Sequence, residues 1–121
     1  MRHSIPHETQ YRELLATRGL SAEVIEKAID RCNKYLEFLE SNNVKLEESS
    51  VDDVKKYVKQ LMDSGNNTLD RIDAICMFTN ILGYLDQYLY LAQMVGGSPL
   101  YQSYLNRTIE TAGEEAAERV F

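Results

Sequence analysis

Two histidines near the N-terminus are the residues best suited by type to metal chemistry. His3 and His7 are four positions apart, the spacing at which two imidazoles on one helix face can share a metal ion. Pro6 interrupts a helix immediately before His7, and no third ligand accompanies the pair in the sequence. We therefore expect a tail here and no metal site.

The acidic and sulfur-containing residues also have structural explanations. Glu114, Glu115 and Glu118 fall at the start of a predicted helix, where negative charge complements the helix dipole. Cys32 and Cys76 each fall within an apolar helical pattern, which is typical of a buried thiol. The sequence has no phosphate-binding glycine loop, dinucleotide-binding fingerprint, C-x-x-C pair or nucleophile elbow. We expect no catalytic residue, no cofactor and no metal, so the chain is not predicted to be an enzyme.

The basic residues that could contact DNA lie in two consecutive predicted helices. Lys55, Lys56 and Lys59 share one helix, one turn after two aspartates, and Arg71 lies in the next helix. A further set alternates with acidic residues, as on an ordinary mixed-charge surface: Lys27, Arg31 and Lys34. The chain has 13 basic and 19 acidic residues, a net charge of -6, which repels nucleic acid and anionic membranes at long range. Nucleic acid is therefore disfavoured as a partner.

Helices must position all of these residues, because apolar positions recur at spacings of three and four along most of the chain. Ser21 is placed to cap a long helix, and Gly19 ends a shorter one around Glu8 to Arg18. Ser50 and Asp53 have the spacing of a capping box for the next helix, which Gly65 ends. The loop residues Val44 and Leu46 are predicted to pack under the core.

A sharp helix-to-helix corner is predicted in the stretch SGNNTLDRID at residues 64–73, with Asn66 or Asn67 capping the following helix. Apolar residues then cover a wide arc up to Met94, which indicates a central helix or one covered by a partner. Gly83 within this run favours a bend or a close helix contact. Ser98 and Pro99 begin a last helix that runs to Gly113, and the helix after it has no C-terminal stop, as in a chain cut from a longer protein.

From Tyr11 to Leu85 the order of these patterns resembles the N-terminal core-binding domain of tyrosine recombinases, the phage integrase family. The segments that carry the resemblance are YRELLATRGLSAEVIEKAIDRCNKYLEFLE, SSVDDVKKYVKQLMDSG and NNTLDRIDAICMFTNILGYL. The resemblance implies an all-α fold, a compact bundle of four to six helices in one domain over residues 1–121. A SAM-like four-helix core would span residues 8–95, and a C-terminal helical extension would span residues 98–121.

In that family the domain forms half of a clamp around duplex DNA, supports contacts between protomers and does not cleave DNA. The recombinase catalytic residues have no counterpart in this chain, which lacks an H-x-x-R motif and has both histidines in its first seven residues. The resemblance thus implies a non-catalytic domain.

The tyrosines carry the functional hypothesis, because tyrosine is enriched where protein surfaces meet partners. The chain has eight of them, although any one of them could equally fill the core. The predicted association surface consists of Tyr84, Tyr88, Leu91 and Met94 on the long helix and Tyr101 and Tyr104 on the last one. We expect an association module that forms a homo-oligomer or packs on a further domain of the same protein; the alternative is a DNA clamp.

The sequence also bears on where the protein resides. No apolar run is long enough to span a bilayer, and the N-terminal residues MRHSIPHETQ lack the apolar stretch of a secretion signal. We expect a cytoplasmic protein without a membrane partner.

Overall fold

The computed structural model describes residues 5–65 and 68–95. Over these ranges the chain forms five helices: α1 (Glu8–Thr17), α2 (Ala22–Ser41), α3 (Val51–Ser64), α4 (Thr68–Leu82) and α5 (Leu85–Val95). A 3₁₀ turn, Leu46–Glu48, precedes α3, and no strand occurs among the described residues, so the all-α prediction is confirmed. None of these helices combines the length and apolar character needed to cross a bilayer. The predictions for His3, for the Asn66 or Asn67 cap, and for everything after Val95, including Tyr101, Tyr104 and the terminal glutamates, lie outside the described residues.

Local capping chemistry sets the helix ends as the sequence predicts. The Ser21 hydroxyl accepts a hydrogen bond from the Val24 N–H at 3.2 Å, which satisfies a free donor at the start of α2. The Asp53 carboxylate accepts from the Ser50 N–H at 2.9 Å, the reciprocal bond of a capping box at the start of α3. Gly65 ends α3 in the left-handed region at φ 74°, where a side chain would be strained. These three helix boundaries are thus fixed by residues within one turn of them.

Helix α4 is the central helix of the bundle. Every residue from Ile72 to Thr79 is buried, and all four other helices pack against α4. The wide apolar arc seen in the sequence therefore belongs, in its first half, to a helix surrounded by the rest of the same chain.

The second half of that arc belongs to a separate helix. Gly83 takes φ 76°, and the Tyr84 N–H donates to the Thr79 carbonyl at 3.0 Å, which closes the end of α4. The bend expected at Gly83 is therefore a complete break, after which α5 folds back along α4. An unbroken helix from Thr68 to Met94 does not form, because glycine adopts the left-handed conformation at little cost.

Two side chains tie the first two helices to one carbonyl of α4. The Tyr11 hydroxyl donates to the Ala74 carbonyl oxygen at 2.9 Å, and the Cys32 Sγ lies 3.6 Å from the same oxygen. The Tyr11 ring also meets Phe78 edge to face, with ring centroids 6.1 Å apart. Cys32 and Cys76 are both fully buried, as predicted, and burial raises the pKa of each thiol to about 12. Val44 and Leu46 pack against this core, as the sequence also predicts.

Candidate functional site

The residues of the predicted association surface on α5 lie mostly toward the bundle. Leu91 is 0% exposed, so its assignment to a contact surface is wrong: α5 folds back at Gly83 and places Leu91 in the core. Tyr88 and Met94 are half-buried and pack against the core, and Tyr84 is half-buried at the start of the helix. The Cys76 Sγ lies 4.0 Å from the Tyr88 carbonyl oxygen, which shows how closely α5 approaches α4.

The apolar residues that α5 does expose lie on its opposite side. Leu85 is 63% exposed and Leu89 is 49% exposed, and they are one helical turn apart. Ala92, a turn further along, is half-buried and packs against the core. We call Leu85 and Leu89 the outer face of α5. Sequence reasoning missed this face because apolar residues lie on several sides of α5, and only the packing of α5 against α4 shows which side turns outward.

An acidic cleft borders the outer face where α5 begins. It lies between the N-terminal ends of α3 and α5, has a volume of about 580 Å³, and is lined in part by Leu85, Glu47, Asp52 and Asp86. Gln87 in its wall is 5% exposed, and its Nε2 donates to the Ser49 carbonyl at 3.2 Å. This bond fastens α5 to the loop before α3, so the outer face is presented by a fixed helix.

The candidate DNA contacts lie on two neighbouring helices, α3 and α4. Lys55, Lys56 and Lys59 are exposed on α3, where the Lys55 Nζ lies 5.6 Å from the centre of the Tyr90 ring on α5. Arg71 is half-buried on α4, where it lines one groove with residues of α2 and another with Tyr57, Gln60 and Ser64 of α3.

Arg71 instead joins the basic residues of α2. One groove of about 470 Å³, which we call the α2–α4 groove, is lined by Glu26, Lys27, Asp30, Arg31, Lys34 and Arg71. The sequence placed Lys27, Arg31 and Lys34 on a mixed-charge surface, and no local pattern indicates that a residue some 40 positions later completes the cluster. Only the packing of α4 against α2 brings them together.

Two of the charges around the α2–α4 groove are already paired. The Lys27 Nζ lies 3.3 Å from Glu23, and the Arg12 guanidinium donates to the carboxylates of both Glu26 and Glu8. The hydrogen bond from Arg12 lowers the pKa of Glu26. Arg12 thus holds α1 to α2 at the exposed edge of the groove.

A second groove continues from the first along α3. It shares Lys34 and Arg71 with the α2–α4 groove, and Tyr57, Gln60 and Ser64 of α3 line its far wall. Burial raises the pKa of Tyr57 to about 12, with the positive charge of Arg71 acting in the opposite direction. The Tyr57 hydroxyl therefore stays protonated at neutral pH and presents a hydrogen-bond donor to this groove.

Metal-binding groups and similar proteins complete the description of these surfaces. Within residues 5–65 and 68–95, no three His, Cys, Asp or Glu side chains are grouped so as to hold a metal ion. No family model, curated protein or solved structure matches the chain. The likeness to the recombinase core-binding domain therefore remains a prediction from the sequence.

Proposed function

We propose that this chain is a non-catalytic helical association module that pairs with a second copy of itself or packs on another domain through the outer face of α5. The observation that carries the proposal is the exposed pair Leu85 and Leu89, one turn apart on a helix whose other side is packed into the core. Single exposed leucines are ordinary on protein surfaces, whereas adjacent ones on one helix side form a continuous apolar strip.

The energetics favour a modest contact. Burying an exposed leucine completely contributes roughly 1.5–3 kcal/mol, and each of these leucines is already partly buried. Association itself costs at least roughly 4 kcal/mol in lost translation and rotation. Two leucines from each copy therefore support weak pairing, and a tight complex requires neighbouring residues to join the contact.

Salt gives this kind of association a characteristic response. Two copies with a net charge of -6 repel one another, and added salt screens that repulsion without weakening apolar burial. Self-association is thus expected to strengthen or hold constant as salt rises. DNA binding, the alternative function, weakens steeply with salt because it depends on the release of counterions.

Sedimentation velocity over a concentration series tests the proposal directly. We expect the wild-type chain to show a dimer fraction that rises with concentration, and the Leu85→Glu/Leu89→Glu variant to remain a monomer. Met62→Glu/Leu69→Glu is the matched control, because these residues are 55% and 54% exposed and receive the same two charges. A wild-type chain that is monomeric at every concentration, or an equal loss in both variants, would refute pairing through the outer face.

A mobility-shift titration with duplex DNA tests the alternative function. The observation that favours DNA is the row of exposed lysines on α3. A monomer that binds duplex DNA with a steep salt dependence, and loses this binding when Lys55, Lys56 and Lys59 become alanine, would replace the association module by a DNA clamp.

A further inference from the structure

Three basic side chains from two helices meet in the α2–α4 groove. Arg31 and Lys34 project from α2 and Arg71 projects from α4, and all three line the same groove. Among the described residues, no carboxylate lies within ion-pair distance of any of the three. Arg31 and Arg71 are half-buried, and Lys34 is exposed.

The acidic residues that line the groove do not change this balance. Glu26 is bonded to Arg12, and Lys27 is paired with Glu23 outside the groove lining. Asp30 is the remaining carboxylate of the lining, against the three cations. The groove thus has an excess of positive charge on a chain whose net charge is -6.

Like charges held together without a counterion raise the free energy of the folded chain, and an anion between them relieves that repulsion. Arginine presents a planar fork of N–H donors that fits the oxygens of a phosphate group, and lysine adds a compact positive charge. We propose that the α2–α4 groove binds the phosphate group of a small phosphorylated molecule, held by Arg31 and Arg71 with Lys34 beside them. This site lies apart from the outer face of α5 and does not rest on the proposed association.

The surroundings favour a compact anion over an extended one. Acidic residues border the basic cluster on both sides: Glu37 lines the adjoining groove along α3, and Asp70 and Asp73 line the adjoining groove that Arg31 shares between α2 and α4. Duplex DNA carries one charge about every 1.7 Å along its axis, so its phosphates would extend over these carboxylates. A single phosphate group, with a charge of about -1.5 to -2 at neutral pH, matches the local excess without reaching them.

Thermal unfolding with inorganic phosphate and pyrophosphate, each compared with sodium chloride at equal ionic strength, tests the proposal. We expect both anions to raise the melting temperature of the wild-type chain, by about 6 °C at ten times the dissociation constant. Isothermal titration should show binding weakened about tenfold or more in Arg71→Gln and in Arg31→Gln, since each removes charge-assisted hydrogen bonds. A larger rise with pyrophosphate would identify a diphosphate, and an equal rise a single phosphate group, as the preferred ligand.

The matched control is Lys55→Gln/Lys59→Gln, which removes two positive charges from the exposed side of α3. We expect this control to bind phosphate as tightly as the wild type does. In sodium chloride, Arg31→Gln/Arg71→Gln should melt at no lower a temperature than the wild type, because the substitution relieves the repulsion between the two arginines. If the double arginine variant does not fold, Lys34→Gln, which changes an exposed side chain, supplies the same comparison.

Three results would overturn the proposal. The first is a wild-type melting temperature that phosphate and pyrophosphate leave unchanged. The second is an equal loss of binding in the α3 control, which would place anion attraction outside the groove. The third is binding of duplex DNA to the wild type, if the DNA displaces phosphate and the arginine variants do not bind it. That result would make the ligand an extended polyanion.

Discussion

Replacing Tyr11 by phenylalanine would remove one hydroxyl group from the centre of the bundle. That hydroxyl donates to the Ala74 carbonyl oxygen at 2.9 Å, and Tyr11 is 0% exposed. The edge-to-face contact with Phe78 remains in the variant, and the Cys32 thiol, 3.6 Å from the same oxygen, still serves as a weak donor. The loss is therefore that of one buried hydrogen bond, and we expect the free energy of unfolding to fall by about 1 kcal/mol.

Urea unfolding followed by circular dichroism measures this change, which corresponds to about 4 °C in the melting temperature of a domain of this size. Tyr57→Phe is the matched control. Tyr57 is 4% exposed, but its hydroxyl forms no hydrogen bond with the described residues and borders an open groove. We expect the control to change the free energy of unfolding by less than about 0.5 kcal/mol.

A double-mutant cycle with Cys32→Ala examines the shared acceptor. When both donors are absent, the Ala74 carbonyl keeps only its bond within α4, so the double variant should lose about 0.5 kcal/mol more than the two single losses combined. The reasoning fails if Tyr11→Phe is as stable as the wild type or as Tyr57→Phe. Strict additivity in the cycle would show that the two donors do not depend on one carbonyl.

Three further outcomes are expected from the thiols and from Gly83. Both Cys32 and Cys76 should react slowly with a thiol reagent in the native chain and rapidly in urea, and rapid native labelling of either would show that it is accessible. The thiols ionise near pH 9 in the unfolded chain, whereas burial raises their pKa to about 12 in the folded chain. The free energy of unfolding should therefore be at its full value below pH 9 and should fall by about 1.4 kcal/mol per pH unit for each thiol as the pH rises toward 12. Alanine at both positions should flatten this part of the pH profile, and an unchanged slope would contradict the assignment. Gly83→Ala and Gly65→Ala should each lower the free energy of unfolding by about 1 kcal/mol. Both glycines have φ near 75°, which strains a residue with a side chain, and nothing lies within 4 Å of an added Cβ, so the backbone strain is the whole effect. A variant as stable as the wild type would refute the strain argument.

The sequence by itself determined the helices and most of their ends. Ser21, the Ser50–Asp53 pair and Gly65 act on backbone groups within one turn of themselves, so their chemistry can be predicted without knowing what the helix packs against. The buried state of Cys32 and Cys76 followed for a similar reason, because each lies in the middle of an apolar helical stripe.

The tertiary structure decided which apolar residues face the core. Helical periodicity shows that Leu85 and Leu89 lie on one side of α5 and Leu91 on another, but it does not show which side meets α4. The packing of α5 against α4 after the break at Gly83 sets that choice, because it buries Leu91 and leaves the two other leucines exposed.

The charged groove also depends on packing rather than on pattern. Arg31 and Lys34 have the helical spacing of an ordinary surface, and Arg71 is a single arginine among aspartates in the sequence. They form a cluster because α4, buried on nearly all its sides, places its first turns against α2. Coulomb interactions act through space and not along the chain, so a charge excess made by residues far apart in sequence exists only once the helices have packed.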